Sequence, residues 1–87
     1  GLNIARMAVL MTGLPISVGG ATVNRFCGSS MEALHMAAGK IACGAGELFI
    51  AAGVESMSRI PMGGFNPSPN PDLYGAMPAA YMSMGLT

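Results

Sequence analysis

The chain has 87 residues, of which 52% are hydrophobic and only 9% charged. Four basic and four acidic residues balance to a net charge of zero, which leaves no basic stripe for nucleic acid and too few charges to cover the surface a small domain exposes. With a mean hydropathy of +0.53, the sequence reads as an internal piece of a larger enzyme or oligomer whose surface is covered by other protein.

Residues 3–12, "NIARMAVLMT", carry Ile4, Met7, Ala8 and Met11 at helical spacing. Asn3 is the expected N-cap, Gly13 the expected stop, and Pro15 blocks continuation. "ISVGG" then connects to "ATVNRFC", Ala21 to Cys27, which reads as a strand through Thr22, Val23 and Phe26. Asn24 and Arg25 interrupt its alternation. Buried polar groups are costly when unpaired, so the pair points to a strand at an interface or beside a site.

A helix is expected from Ser29, where Ser29 and Glu32 have the spacing of a capping box. Met31, Leu34, Ala37, Ala38 and Ile41 form one apolar stripe, and Ala33, Met36 and Ala42 widen it, so this helix is expected to be buried on several sides. Lys40 suits the last turns, and Gly44 and Gly46 end them. "LFIAAGV", Leu48 to Val54, is a continuous apolar run of the kind found inside parallel sheets. Strand, helix and strand together make one βαβ unit with a right-handed crossover, and the predicted class is α/β.

Beyond Val54 the texture changes. Five of the six prolines lie in residues 61–78, and "FNPSPNPD" reads as part of a long loop, a place where function concentrates. "PAAYMSMG" reads as a short closing helix with Pro78 at its first position.

Cys27 ends a strand just before a helix N-terminus. In open α/β sheets, sites cluster at the carboxyl ends of strands. The helix end carries a partial positive charge that suits a negatively charged sulfur. Gly28 allows close substrate approach, and the N–H groups around it suit an oxyanion. A nucleophile and a small core hydrophobe are both open for Cys27 on position alone. Cys43, placed inside the helix, reads as core filler. His35, the one histidine, lies on the second turn, too far along to serve Cys27 as a base. Glu55 reads as a structural partner for Arg59 or Arg25.

Two isolated cysteines fit a reduced intracellular protein, with a disulfide between them left open. No C-x-x-C pair is present, and no metal site is expected. No apolar run approaches the roughly 18 residues of a membrane span, so none is expected.

"TVNRFCGSSMEALHMAAGKI", followed by "AAGVESMSRIPM" and preceded by "ARMAVLMTGLP", resembles the thiolase family of acetyl-CoA acyltransferases and acetyltransferases. The resemblance implies a layered αβαβα architecture. Residues 1–54 would form part of its N-terminal domain, and residues 55–87 would begin a loop domain that helps cover the pantetheine arm of coenzyme A from near Ser56 to Arg59. Cys27 matches the family's acyl-accepting cysteine.

The implied reaction cleaves a 3-ketoacyl-CoA with coenzyme A, through an acyl thioester on Cys27, to acetyl-CoA and a shortened acyl-CoA. Coenzyme A thioesters are then substrates, and no bound cofactor is expected. The family's activating histidine and second cysteine sit in motifs that do not occur here, so neither His35 nor Cys43 takes those roles. The resemblance also implies a homodimer or homotetramer in which the nucleophile strand meets its twin, which would account for Asn24 and Arg25. The loop from Arg59 to Gly85 looks more like degradative, β-oxidation thiolases than short-chain biosynthetic ones. The rival readings are a cysteine-dependent condensing enzyme of the ketoacyl synthase type and a non-catalytic, truncated interaction module.

Overall fold

A computed structural model describes residues 2–77 of the chain. The predicted helix at Pro78–Gly85 lies outside the described residues. Three helices are seen: α1 (Ile4–Met11), α2 (Ser29–Ala42) and α3 (Pro71–Ala76).

α1 begins and ends where its signals place it. The Asn3 side chain accepts the Arg6 N–H at 3.3 Å, and Gly13 follows at φ +76°. Asn3 also ties the helix to the connection that returns past it. Its Nδ2 donates to the Gly20 carbonyl at 2.7 Å, and its Oδ1 accepts from Thr22 Oγ1 at 2.6 Å. Thr22 Oγ1 in turn accepts the Ala5 N–H at 3.2 Å, and the Arg6 guanidinium donates to the Val18 carbonyl. The orphan donors of the first turn are thus partly met from a segment 17 to 19 residues away.

α2 closes with a Schellman arrangement. Gly44 N–H donates to the Ile41 carbonyl at 3.1 Å and Ala45 N–H to the Lys40 carbonyl at 2.8 Å, with Gly44 at φ +75°, a conformation that costs a glycine least. Cys43, read inside the helix, stands at its end. It is the C-cap of α2 and exposed, its thiol 3.4 Å from the Lys40 carbonyl.

α3 is a second correction, because the proline-rich stretch read as loop does carry a regular element. Asn70 Oδ1 accepts the N–H of Asp72 at 2.9 Å and of Leu73 at 3.4 Å, and Pro71 takes the first position. An Asn cap followed by Pro is a start signal legible in "NPD".

Neither predicted strand forms a ladder among the described residues, and residues 21–27 end in a turn in which Gly28 N–H donates to the Arg25 carbonyl. Among the described residues the only bridge is an isolated one between Arg25 and Cys27, within the turn itself. Strand assignment rests on hydrogen bonds to a neighbour, and no described segment runs alongside 21–27 or 48–54 to provide them. Residues 48–54 return beside the start of α2, where a Cβ on Gly53 would come within 2.6 Å of Ser30 Oγ.

No described residue is buried. The accessible surface is 7353 Å², against about 4,800 Å² for a folded monomer of this mass. The radius of gyration is 16.4 Å, against about 12 Å for a compact domain of this length. α2, expected to be covered on several sides, is covered on one. Ala33 and Ala37 are half-buried, while Leu34 and Met31 are 60% and 63% exposed.

Between α1, α2 and residues 48–64 lies an open apolar groove of about 2070 Å³, bordered by Ala8, Val9, Val23, Ala37 and Ile50. Small-molecule pockets occupy roughly 300–1,000 Å³. A groove of this size is an uncovered interior rather than a ligand pocket.

Candidate active site

The segment before α2 folds into a turn that presents Cys27. Asn24 Oδ1 accepts the Phe26 N–H at 3.0 Å. Gly28 N–H donates to the Arg25 carbonyl at 2.9 Å and Ser29 N–H to the Phe26 carbonyl at 3.1 Å. Phe26 adopts φ +47°, a left-handed conformation rare for a bulky side chain. Arg25 reaches over the turn and pairs with Glu32, Nη1 to Oε2 at 2.9 Å. Both side chains are at least one-third exposed, so the pair contributes at most about 1 kcal/mol and chiefly holds the turn against the first turn of α2.

These contacts revise two sequence expectations. The capping box between Ser29 and Glu32 does not form. Gly28 is the N-cap, Ser29 is the first helical residue, and Glu32 is engaged by Arg25. Asn24 and Arg25, read as marks of an interface or a neighbouring site, lie in the turn beside Cys27 and find partners in the Phe26 N–H and in Glu32 of α2. Glu55 pairs with neither Arg25 nor Arg59 among the described residues; its Oε1 accepts the N–H of Ser56 at 3.1 Å.

Cys27 is exposed at the lip of the apolar groove, with a free thiol. The N–H groups of Cys27, Ser30 and Met31 find no acceptor among the described residues. Unpaired N–H groups at a helix start are the donors an anion uses. Gly53 lets residues 51–55 approach Ser30 closely, and Glu55 also borders the groove.

The structure does not bring His35 to this turn. It is exposed on α2, seven residues past Gly28, or about 10 Å along the axis. Cys43 stands at the opposite end of a 14-residue helix, about 21 Å long, so the two cysteines are held apart and both are free. What sequence reading missed here is Ser29's turn toward the preceding backbone and the left-handed Phe26. A serine beside a glycine hints at the first, and nothing local announces the second.

The family profile described as "Thiolase, N-terminal domain" matches residues 1–81. A 3-ketoacyl-CoA thiolase of Colwellia psychrerythraea is 51% identical over 87 residues, covering all of this chain and 22% of that protein. A 3-ketoacyl-CoA thiolase of Pseudoalteromonas translucida is 49% identical over the same length, again 22% of the relative. The 3-oxoadipyl-CoA/3-oxo-5,6-dehydrosuberyl-CoA thiolase of Escherichia coli K12 is 61% identical over 59 residues, 68% of this chain and 15% of that protein. The chain thus spans about a fifth of the length of the curated relatives it matches.

Proposed function

The chain belongs to the thiolase N-terminal domain family, and from that premise we propose that it supplies the nucleophile of an acyltransferase acting on 3-ketoacyl-CoA. The observation that carries the reading is Cys27, exposed on a turn at the N-terminus of α2 with its own N–H unpaired among the described residues.

In the proposed reaction the Cys27 sulfur, as thiolate, attacks the 3-keto carbon and forms a C–S bond. The keto oxygen becomes an oxyanion, toward which the free Cys27 N–H is a donor. The C2–C3 bond then breaks, the carbonyl re-forms as a thioester on Cys27, and the acetyl-CoA carbanion takes a proton from a general acid. A second coenzyme A gives its thiol proton to a base, and its sulfur attacks the thioester. Cys27 leaves as thiolate. Neither His35 nor Cys43 lies at the turn, and family membership assigns the acid and base to residues beyond this chain.

The same reading extends to architecture. The unpaired segments 21–27 and 48–54 become strands of a βαβ unit in a layered α/β fold when segments of the rest of the protein pair with them. The loop domain begins at residue 55. The subunits associate as dimers or tetramers, and the protein works in an intracellular compartment in fatty-acid β-oxidation. Among the described residues no helix is long and apolar enough to cross a membrane. The ketoacyl synthase reading gains no support from the profile match or the relatives, and no feature of the structure favours a binding module over an enzyme.

The two cysteines give the first test. Both are exposed in this structure, so access does not separate them here, but they stand at opposite ends of one helix. A negative charge is favoured by about 0.3–1 kcal/mol at the N-terminal end and disfavoured at the C-terminal end. In the full-length protein, iodoacetamide at neutral pH is expected to label Cys27 about tenfold faster than Cys43. An acyl-CoA is expected to protect Cys27 alone. Peptide mapping that finds equal labelling, or faster labelling of Cys43, contradicts the assignment.

A further inference from the structure

Ser29 stands beside the proposed nucleophile without a role in the reaction just described. Its hydroxyl accepts the Arg25 N–H at 2.8 Å and donates to the Phe26 carbonyl at 2.6 Å. It therefore bridges the backbone groups on either side of Phe26, the residue held at φ +47°. A left-handed conformation at a bulky residue persists only where its surroundings impose it. Without the hydroxyl, two backbone bonds of the turn remain, Gly28 N–H to the Arg25 carbonyl and Ser29 N–H to the Phe26 carbonyl. The Asn24 Oδ1 contact to the Phe26 N–H remains as well, but the tie spanning Phe26 from the Arg25 N–H to the Phe26 carbonyl is lost.

We infer that Ser29 is a positioning residue for Cys27: its hydroxyl locks the Phe26 backbone in the left-handed region and so fixes where the Cys27 sulfur and the Cys27 N–H point. Cys27 follows Phe26 directly, and rotation at Phe26 swings both groups together. The Arg25–Glu32 pair assists from the far side of the turn, joining the residue before Phe26 to the first turn of α2. Among the described residues the Ser29 hydroxyl bonds to backbone groups and not to the Cys27 sulfur. Its effect falls on attack geometry rather than on affinity, and reacting groups misplaced by about 1 Å lose roughly 10²-fold in rate.

The inference rests on the reading of Cys27 as nucleophile, and the test separates the two. In the full-length protein, Ser29→Ala is expected to lower the single-turnover rate of Cys27 acylation by about 10- to 100-fold. KM for the acyl-CoA should move by less than about threefold, as expected when an interaction acts on the transition state. Ser29→Thr keeps the hydroxyl and is expected to restore the rate to within about threefold of wild type. It also serves as the second variant should Ser29→Ala fold poorly. An acylation rate in Ser29→Ala within about twofold of wild type overturns the inference. So does a Thr variant as slow as the Ala variant, which would mean that packing and not the hydroxyl matters. A Cys27→Ser control distinguishes the failures. If it still turns over, the nucleophile reading falls and the inference with it. If it is inactive while Ser29→Ala is normal, the positioning role alone is lost.

Discussion

Cys27→Ser in the full-length protein is expected to abolish thiolysis, with a loss on the order of 10⁶ in kcat, the scale at which deletion of a covalent nucleophile acts in other enzymes. Serine matches the thiol closely in size, but its hydroxyl is far less acidic, so it does not supply an anion at neutral pH. The fold should be untouched. Cys27 is exposed, and its side chain makes no hydrogen bond among the described residues. A near-isosteric change that removes no hydrogen bond engages none of the mechanisms behind large destabilisation. A thermal midpoint unchanged within error, together with no detectable acetyl-CoA release from a 3-ketoacyl-CoA, is the expected pair of results. Turnover close to wild type in a sequence-verified variant would remove covalent catalysis from this position.

The second large effect concerns residues 1–87 made alone. This chain is expected to show no thiolase activity and to associate or aggregate. Leu48 is 88% exposed and Ile50 77%, and both lie on a segment whose backbone has no ladder partner among the described residues. Unpaired extended backbone of that kind adds strands from any neighbour. Apolar surface on α2 faces outward beside it. On the chemical side, a thiol without a positioned base forfeits roughly 10²–10⁴-fold in rate, and His35 is about two helical turns from Cys27. Size-exclusion chromatography and a thiolysis assay read the two halves separately. A soluble monomer with a compact radius would show that these apolar faces cover one another. Measurable turnover would show that His35 or another residue of this chain serves as the base.

The parts of the fold legible in the sequence are those governed by neighbours in the chain. Asn3 and Gly13 bound α1, and Gly44 closes α2, because caps are satisfied within a few residues. The address of Cys27 just ahead of a helix start was legible for the same reason. Ser29 shows the limit. Its spacing to Glu32 fits a capping box, but two backbone groups of the preceding turn lie closer to its hydroxyl, and Arg25 claims the glutamate. Cys43 shows another. A shift of one residue moves it from helix interior to cap.

The strands at 21–27 and 48–54 were read from side-chain pattern alone. A ladder needs a second segment, and within the described residues none runs beside them. The α/β class follows from family membership, while the sheet itself depends on what packs into the groove between α1, α2 and residues 48–64. The chemistry divides in the same way. The thiol, the turn that presents it and the unpaired N–H groups are local and visible in 87 residues. The acid and base proposed to come from elsewhere would leave no trace in this stretch.

The central claim is that Cys27 carries the acyl group, and trapping the acyl-enzyme tests it most directly. The full-length protein is mixed with a 3-ketoacyl-CoA in the absence of free coenzyme A, quenched in acid, digested and analysed by mass spectrometry. The account predicts the mass of the shortened acyl group on the peptide containing Cys27, and its disappearance when coenzyme A is added before the quench. An acyl group found on Cys43 or on any other residue, or acetyl-CoA released with no modified Cys27 peptide, would contradict it.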